Sequence, residues 1–263
     1  MTDAPLPQTP AELGAPDPWA SLAALTPARI ALGRVGSALP TRQVLLLALA
    51  QAKARDAVHA ALDGAALETA MRGLGLAPVR VASAAASRDI YLRRPDLGRS
   101  LSPESRAALA AQAGAAFDLA LVLADGLSAA AVNAHAPPLV AALLPHLEKA
   151  GLTLAPVAIA EQARVALGDE IGEALRARAV VILIGERPGL SAPESLGAYL
   201  TYAPRRGRTD AERNCVSNIH HQGLGYDEAA FKLAWLLNQA FRRALSGVAL
   251  KDESGGRALD NGR

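Results

Sequence analysis

Apolar positions change their spacing near residue 117. Beyond that point, short continuous apolar runs alternate with amphipathic segments. DLALVLADG from Asp118, LTLAPVAIA from Leu152 and AVVILIGERPG from Ala179 each read as a strand, with LGAYLTYAP from Leu196 as a candidate fourth. Between them, PLVAALLPHLEKAG, GDEIGEALRARA and DEAAFKLAWLLNQAFRRALSG read as helices, the first ending at Gly151 and the last capped by Asp227. Strands that are apolar on both faces and separated by helices indicate βαβ units. The fold class is therefore α/β: a Rossmann-like, largely parallel sheet with helices on both faces, preceded by a smaller helical N-terminal region.

That first region is less periodic. Prolines at 5, 7, 10, 16 and 18 forbid a continuous helix over residues 1–27, which reads as a flexible arm. After the Gly-containing turn RIALGRVGSALPTR, Thr41 is placed to cap a helix from about Arg42 to Leu62. The first half of that helix is apolar nearly all round and the second half mixed, which predicts one buried end and one exposed end. VRVAS reads as a short strand and YLRRPDLGR as a loop, because the residue before Pro95 is biased out of the helical region. Ser102 caps a helix with Pro103 at its first position, ending near Gly114. The organisation expected is an arm over 1–27, a mainly helical region over 28–116, an α/β core over 117–250 and a flexible tail over 251–263.

Composition narrows the class. Of 263 residues, 51% are hydrophobic and only 3% aromatic, so the core has to be built from many small contacts among Ala, Leu, Val and Ile. The balance of 27 basic and 25 acidic residues argues against a nucleic-acid or anionic-membrane surface. Cys215 is the sole cysteine, so no intrachain disulfide is available and a reducing, cytoplasmic setting is expected. The N-terminal stretch lacks a basic segment followed by an apolar one, and the run Val44–Ala50 is too short to span a bilayer.

Ligands of open parallel sheets bind beyond the carboxyl ends of the strands. Three loops are expected there: Asp125–Ser128, Glu161–Val165 and Gly185–Leu190. In GERPGL the bland reading is a turn with a surface ion pair. The functional reading is that Glu186 accepts hydrogen bonds from a polar ligand. Ser191–Glu194 and Thr209–Glu212 both fit the capping-box pattern. Arg205, Arg206, Arg208 and Arg213 form a solvated face, a partner contact or a phosphate site. RNCVSNIHH looks like a binding loop, and Cys215 reads as a small hydrophobe unless His220 or His221 folds back as a base. His59 is expected to be partly exposed, and His135 and His146 to face solvent. No zinc-site spacing, GxGxxG, P-loop or GxSxG elbow occurs.

Taken in order, LGRVGSALPTR, YLRRPDLGR, DLALVLADGLSAAAV, EQARVALGDEIGE, VVILIGERPGLSAPESLGAYLTYAP and DAERNCVSNIH resemble the ethanolamine ammonia-lyase small subunit over about residues 28 to 250. The resemblance implies a lyase that converts ethanolamine to acetaldehyde and ammonia with adenosylcobalamin. It implies a large-subunit partner, a (β/α)₈ barrel carrying the substrate, and a hetero-oligomer of large–small pairs. Cobalamin contacts carry over to Val165, Glu186 and Cys215. DxHxxG is absent at all five histidines, so the cofactor is expected to keep its own dimethylbenzimidazole on cobalt (base-on). The resemblance also implies an exposed apolar surface on the isolated chain. Encapsulation in a bacterial microcompartment stays open, because the prolines of the arm oppose a targeting helix.

Two competing readings are a self-sufficient enzyme using Glu186 with His220 or His221 as acid and base, and a corrinoid carrier that binds cobalamin alone.

Overall fold

A computed structural model describes residues 19–257, apart from 27, 113 and 115. The rest of the expected arm, and the tail beyond 257, lie outside the described residues. Six strands form one sheet: β1 Pro78–Ala82, β2 Phe117–Ala124, β3 Val157–Glu161, β4 Ala177–Gly185, β5 Leu196–Tyr202 and β6 Arg213–Ile219, in spatial order β1-β3-β2-β4-β5-β6. The helices are α1 Thr41–His59, α2 Gly64–Gly73, α3 Arg88–Arg93, α4 Pro103–Gln112, α5 Ala129–Lys149, α6 Leu167–Ala174 and α7 Tyr226–Arg243.

Both faces of the sheet are covered, which explains why its strands are apolar throughout. Leu119, Leu121 and Leu123 of β2 join Val132, Leu139 and Leu143 of α5 and Leu233 and Leu237 of α7 in one core. The intervening Ala120, Val122 and Ala124 face a second core with Leu109 of α4 and Leu167 and Ile171 of α6. The α5 side takes leucines and the α6 side takes small residues, so α6 packs close enough for Gly168 to sit against Ile182.

The sheet is mixed, not largely parallel. β1, β3, β2 and β4 are parallel, but β5 runs antiparallel to β4, and β6 antiparallel to β5. The physical reason is the connection: β4 and β5 are joined by a loop with no helix, which returns the chain antiparallel alongside β4. RNCVSNI, expected as a loop, is β6, an edge strand whose buried positions Arg213, Val216 and Ile219 are spaced by three.

The N-terminal half differs in several places. VRVAS is confirmed as β1 at the opposite edge, and Ser102 caps α4 through the Ser105 N–H at 3.1 Å. YLRRPDLGR is partly helical, because Ser87 accepts from the Ile90 N–H and starts α3 ahead of it; Arg94, before Pro95, leaves the helix as expected. Helix α2 lay unrecognised, capped by Asp63 onto the Ala66 N–H. Helix α1 follows Pro40, and Thr41 sits inside its first turn rather than capping it. Its apolar first half is the exposed end: Leu45 is 65% exposed and Leu49 52%, while Ala57 near the other end is buried. Asp227 likewise lies inside α7, whose cap is Gly225.

The basic segment divides: Arg205 and Arg206 stay exposed, whereas Arg208 and Arg213 turn inward. Arg213 is buried and grips both carboxylate oxygens of Asp169 at 2.6 and 2.7 Å, tying β6 to α6. Desolvation pushes the Asp169 carboxyl up and opposes the Arg213 charge; the bidentate bond, with Thr201 as an added acceptor, holds the pair ionised. Arg208 binds Glu212 and the Ala203 carbonyl. Glu212 accepts from the Thr209 N–H at 2.8 Å as its capping box predicts, whereas Ser191–Glu194 starts no helix. Replacing Arg213 with Met should cost ~3–5 kcal/mol, because Asp169 is left buried and unpaired. Urea unfolding measures it, and a loss below ~1 kcal/mol would show the pair to be idle.

Candidate functional site

The ends of β2, β3 and β4 converge because one buried carboxylate draws their loops together. Asp125, one residue past β2, accepts from the N–H groups of Gln162 at 2.8 Å and Ala163 at 2.9 Å, both in the loop after β3. Arg88 of α3 closes the arrangement. Its Nη1 donates to the Gly126 carbonyl at 2.8 Å and lies 3.4 Å from Asp125, and its Nε donates to the Val58 carbonyl. Burial raises the Asp125 carboxyl, and the two amides and Arg88 oppose that shift. On the β4 side, Gly126 and Gly185 pack backbone against backbone. A Cβ on either would strike main-chain atoms, and the Leu127 N–H donates to the Gly185 carbonyl at 2.9 Å. Helix α5 leaves β2 on one face of the sheet and α6 leaves β3 on the other, so a crevice opens between these strand ends.

Tyr91 fills the base of the crevice. It is fully buried, donates to the Ala163 carbonyl at 2.9 Å, and lies between the guanidinium groups of Arg88 and Arg164, 4.9 and 4.6 Å from its ring centre. Desolvation pushes its hydroxyl up to about 12, so it stays a neutral donor.

Tyr91, Arg164, Val165, Glu186 and Tyr199 line one cavity at this edge. Val165 is half-buried and presents an apolar wall. Glu186 is half-buried just past β4. Its Oε2 accepts from the Ser195 hydroxyl and the Asn218 N–H, and Oε1 keeps its acceptor capacity. No ion pair joins Glu186 to Arg187 among the described residues. Cys215 on β6 sits opposite Tyr199 of β5, with its thiol against the Tyr199 hydroxyl. One side of Cys215 meets solvent; desolvation of the rest raises the thiol, with the Tyr199 contact opposing and Glu186 reinforcing. A protonated thiol is a poor nucleophile. Val165 and Glu186 therefore share one cavity, and Cys215 adjoins it through Tyr199.

The histidines lie elsewhere. His220 and His221, with His135, Glu194, Lys53 and Asp56, line a separate cleft between α1 and the 191–194 segment. An acid–base pair of Glu186 with either histidine is thus split between two cavities. His135, expected at the surface, is buried, with Nδ1 2.9 Å from the Tyr226 hydroxyl.

Three polar atoms around the crevice are buried without a hydrogen-bond partner: Arg88 Nη2, Arg164 Nε and Gln162 Oε1. Each such atom costs ~1–3 kcal/mol unless something meets it. Of these, Arg164 lines the cavity beside the apolar wall of Val165, and a donor there suits a ligand with polar groups around an apolar body. Gln162 lies in the expected loop 161–165, but Arg88, Tyr91 and Tyr199 carry no pattern that points to the site beyond a tyrosine within the basic run YLRR of an aromatic-poor chain.

Residues 16–251 match the family model described as ethanolamine ammonia-lyase light chain (EutC). The chain belongs to this ethanolamine ammonia-lyase light-chain family. It is 60% identical over 230 residues to the ethanolamine ammonia-lyase small subunit of Rhodopseudomonas palustris BisA53, covering 88% of each chain. It is 60% identical over 242 residues to that of Bradyrhizobium diazoefficiens USDA 110, covering 92% of this chain and 93% of the other. With that of Pseudomonas aeruginosa LESB58 it shares 52% over 263 residues, 99% and 95% of the two chains. As a light chain it is a subunit of a lyase and implies a large-subunit partner. Among the described residues no helix is long and apolar enough to cross a membrane.

The buried His135 makes light-chain stability depend on pH. Burial, followed by the charges of His221 and His220, lowers its pKa below the ordinary 6.5, against an opposing pull from Glu194; Tyr226 also faces it. The unfolded chain therefore binds a proton that the folded one resists. Stability should fall as pH drops below about 6.5, and the loss should level off below the folded pKa. Unfolding curves from pH 7.5 to 5 should show a shallower slope for His135→Gln than for the natural chain, and an unchanged slope would remove His135 as the cause.

Proposed function

We propose that this light chain supplies part of an adenosylcobalamin site in ethanolamine ammonia-lyase, at the interface with the large catalytic subunit. The observation that carries this reading is the cavity that Arg164, Val165 and Glu186 line and Cys215 adjoins, at which Arg164 leaves a buried Nε without a partner. Corrin side chains end in amides, so Arg164 has an acceptor to meet. Glu186 accepts an amide N–H through Oε1, while Ser195 and Asn218 fix its rotamer. Val165 meets the apolar macrocycle, and Cys215 offers a small neutral surface with a weak donor.

Bound adenosylcobalamin would supply the radical chemistry, and the large subunit would carry the substrate. This chain's residues position the cofactor and keep water from it. None transfers a proton or forms a bond to substrate. This chain has no DxHxxG histidine that would replace the cofactor's own dimethylbenzimidazole. Labelling the light-chain histidines with ¹⁵N should therefore leave the cob(II)alamin electron spin resonance pattern unchanged. The complex works in the cytoplasm, with enclosure in a microcompartment as the alternative.

The first test is ammonia release from ethanolamine with adenosylcobalamin, for this chain alone and with its large subunit. Activity only in the mixture is expected; activity of this chain alone would overturn the proposal. In the complex, Glu186→Gln should weaken cobalamin binding by ~1–3 kcal/mol, since a charge-assisted bond becomes a neutral one. Cys215→Ala should keep substantial activity. Complete loss with cofactor still bound would give the thiol a chemical role.

A further inference from the structure

Nine of the thirteen large hydrophobic side chains exposed among the described residues lie between Leu22 and Leu49. On α1 alone, Val44 is 50% exposed, Leu45 65%, Leu46 47% and Leu49 52%. Helix α1 touches the body mainly through its last turns, where Ala57 is buried against the fold, so its apolar half stands clear. Leucines adjacent in sequence point in different directions around a helix. A surface apolar on several sides at once is left uncovered by this chain's own core. Patches of this kind mark partner interfaces.

The segment is fastened to the proposed cofactor edge at both ends. Arg29 donates to the carbonyl of Leu190, in the loop that begins at Glu186, and Leu190 is itself exposed. At the other end, Arg88, which braces Asp125 and Tyr91, donates to the carbonyl of Val58 on α1. Helix α1 itself walls the histidine cleft, so whatever covers the segment lies beside that cleft and touches the cofactor cavity only through the 186–190 loop and Arg88. Charge separates two occupants. Between Leu22 and His59 stand Arg29, Arg34, Arg42, Lys53 and Arg55, against Asp56 alone as an acid. Two copies meeting through this face would set like charges together, whereas an acidic-rimmed groove would complement it.

We propose that residues 22–49, with α1 at their centre, are the light chain's docking element for the large subunit. They insert an apolar ridge into an acidic-rimmed groove of that subunit and thereby brace the 186–190 loop that leads from the cofactor cavity. This rests on the functional proposal above and adds the surface, its chemistry and its link to the cavity.

The test is equilibrium binding of the full-length chain to the large subunit, by light scattering and titration, for the natural chain, Leu45→Asp/Leu49→Asp and Val248→Asp. Val248 is 79% exposed outside this segment and serves as the control. Both leucines are exposed, so circular dichroism and melting should match the natural chain. The graded variant Leu45→Ala/Leu49→Ala guards against a folding defect in the Asp pair. The Asp pair should bind about a hundredfold more weakly and the Ala pair about tenfold, with Val248→Asp unchanged. Natural binding should also weaken as salt rises. An Asp pair that binds like the natural chain overturns the inference, as does Val248→Asp losing as much. So does an Asp pair that only breaks a homodimer of the isolated chain, which would assign this face to a second copy. Failure of the natural chain itself to bind the large subunit would instead defeat the functional proposal.

Discussion

A single buried carboxylate organises the working edge of this fold. Asp125 follows β2 directly, and its two oxygens receive the amides that begin the loop after β3. That loop carries Gln162, Arg164 and Val165. Arg88 answers the same carboxylate and reaches α1, and Tyr91 is wedged beneath by Arg88, Arg164 and the Ala163 carbonyl. With Gly126 and Gly185 packed main chain to main chain, the ends of β2, β3 and β4 are held in one arrangement. The buried charge is tolerated because hydrogen-bond donors surround it. Removing them would release the crevice as well as the charge.

The antiparallel strands β5 and β6 extend this edge sideways. They place Tyr199 and Cys215 beside the cavity and supply Ser195 and Asn218 to hold Glu186. Their own anchor is the Arg213–Asp169 pair on the α6 face of the sheet, the face that Val165 and Tyr199 also occupy. The site thus depends on two buried ionic contacts, one under the parallel strands and one under the antiparallel pair. In the proposed reading, this rigid half-shell meets the corrinoid from one side and leaves the other side to the large subunit.

Much of the core was legible because strands buried on both faces must be apolar throughout. β2, β3 and β4 are written that way, and the helices between them follow from Gly151 and the amphipathic spacing of α7. The direction of β5 was not legible, since an apolar run looks the same whichever way it points; only the absence of a helix in the β4–β5 connection decides it. β6 was hidden because an edge strand with Arg213, Asn214, Ser217 and Asn218 lacks the apolar signature. Helix α1 was misread for a related reason. An all-apolar stretch signals burial, but not whether its cover is the same chain or another. In the site, the loops after β2, β3 and β4 were readable as converging. Arg88 and Tyr91 were not, because they arrive from a helix distant in sequence and their role exists only through Asp125.

Half of a site binds weakly, since only part of the contacts offset the cost of ordering the ligand. The most direct measurement is therefore a titration of adenosylcobalamin by its visible spectrum against the light chain alone, the large subunit alone and the two together. Tight, saturable binding is expected only for the pair, weakened when Glu186 is changed. Binding by the isolated light chain as tight as by the pair would contradict it, and would make this chain a complete corrinoid site.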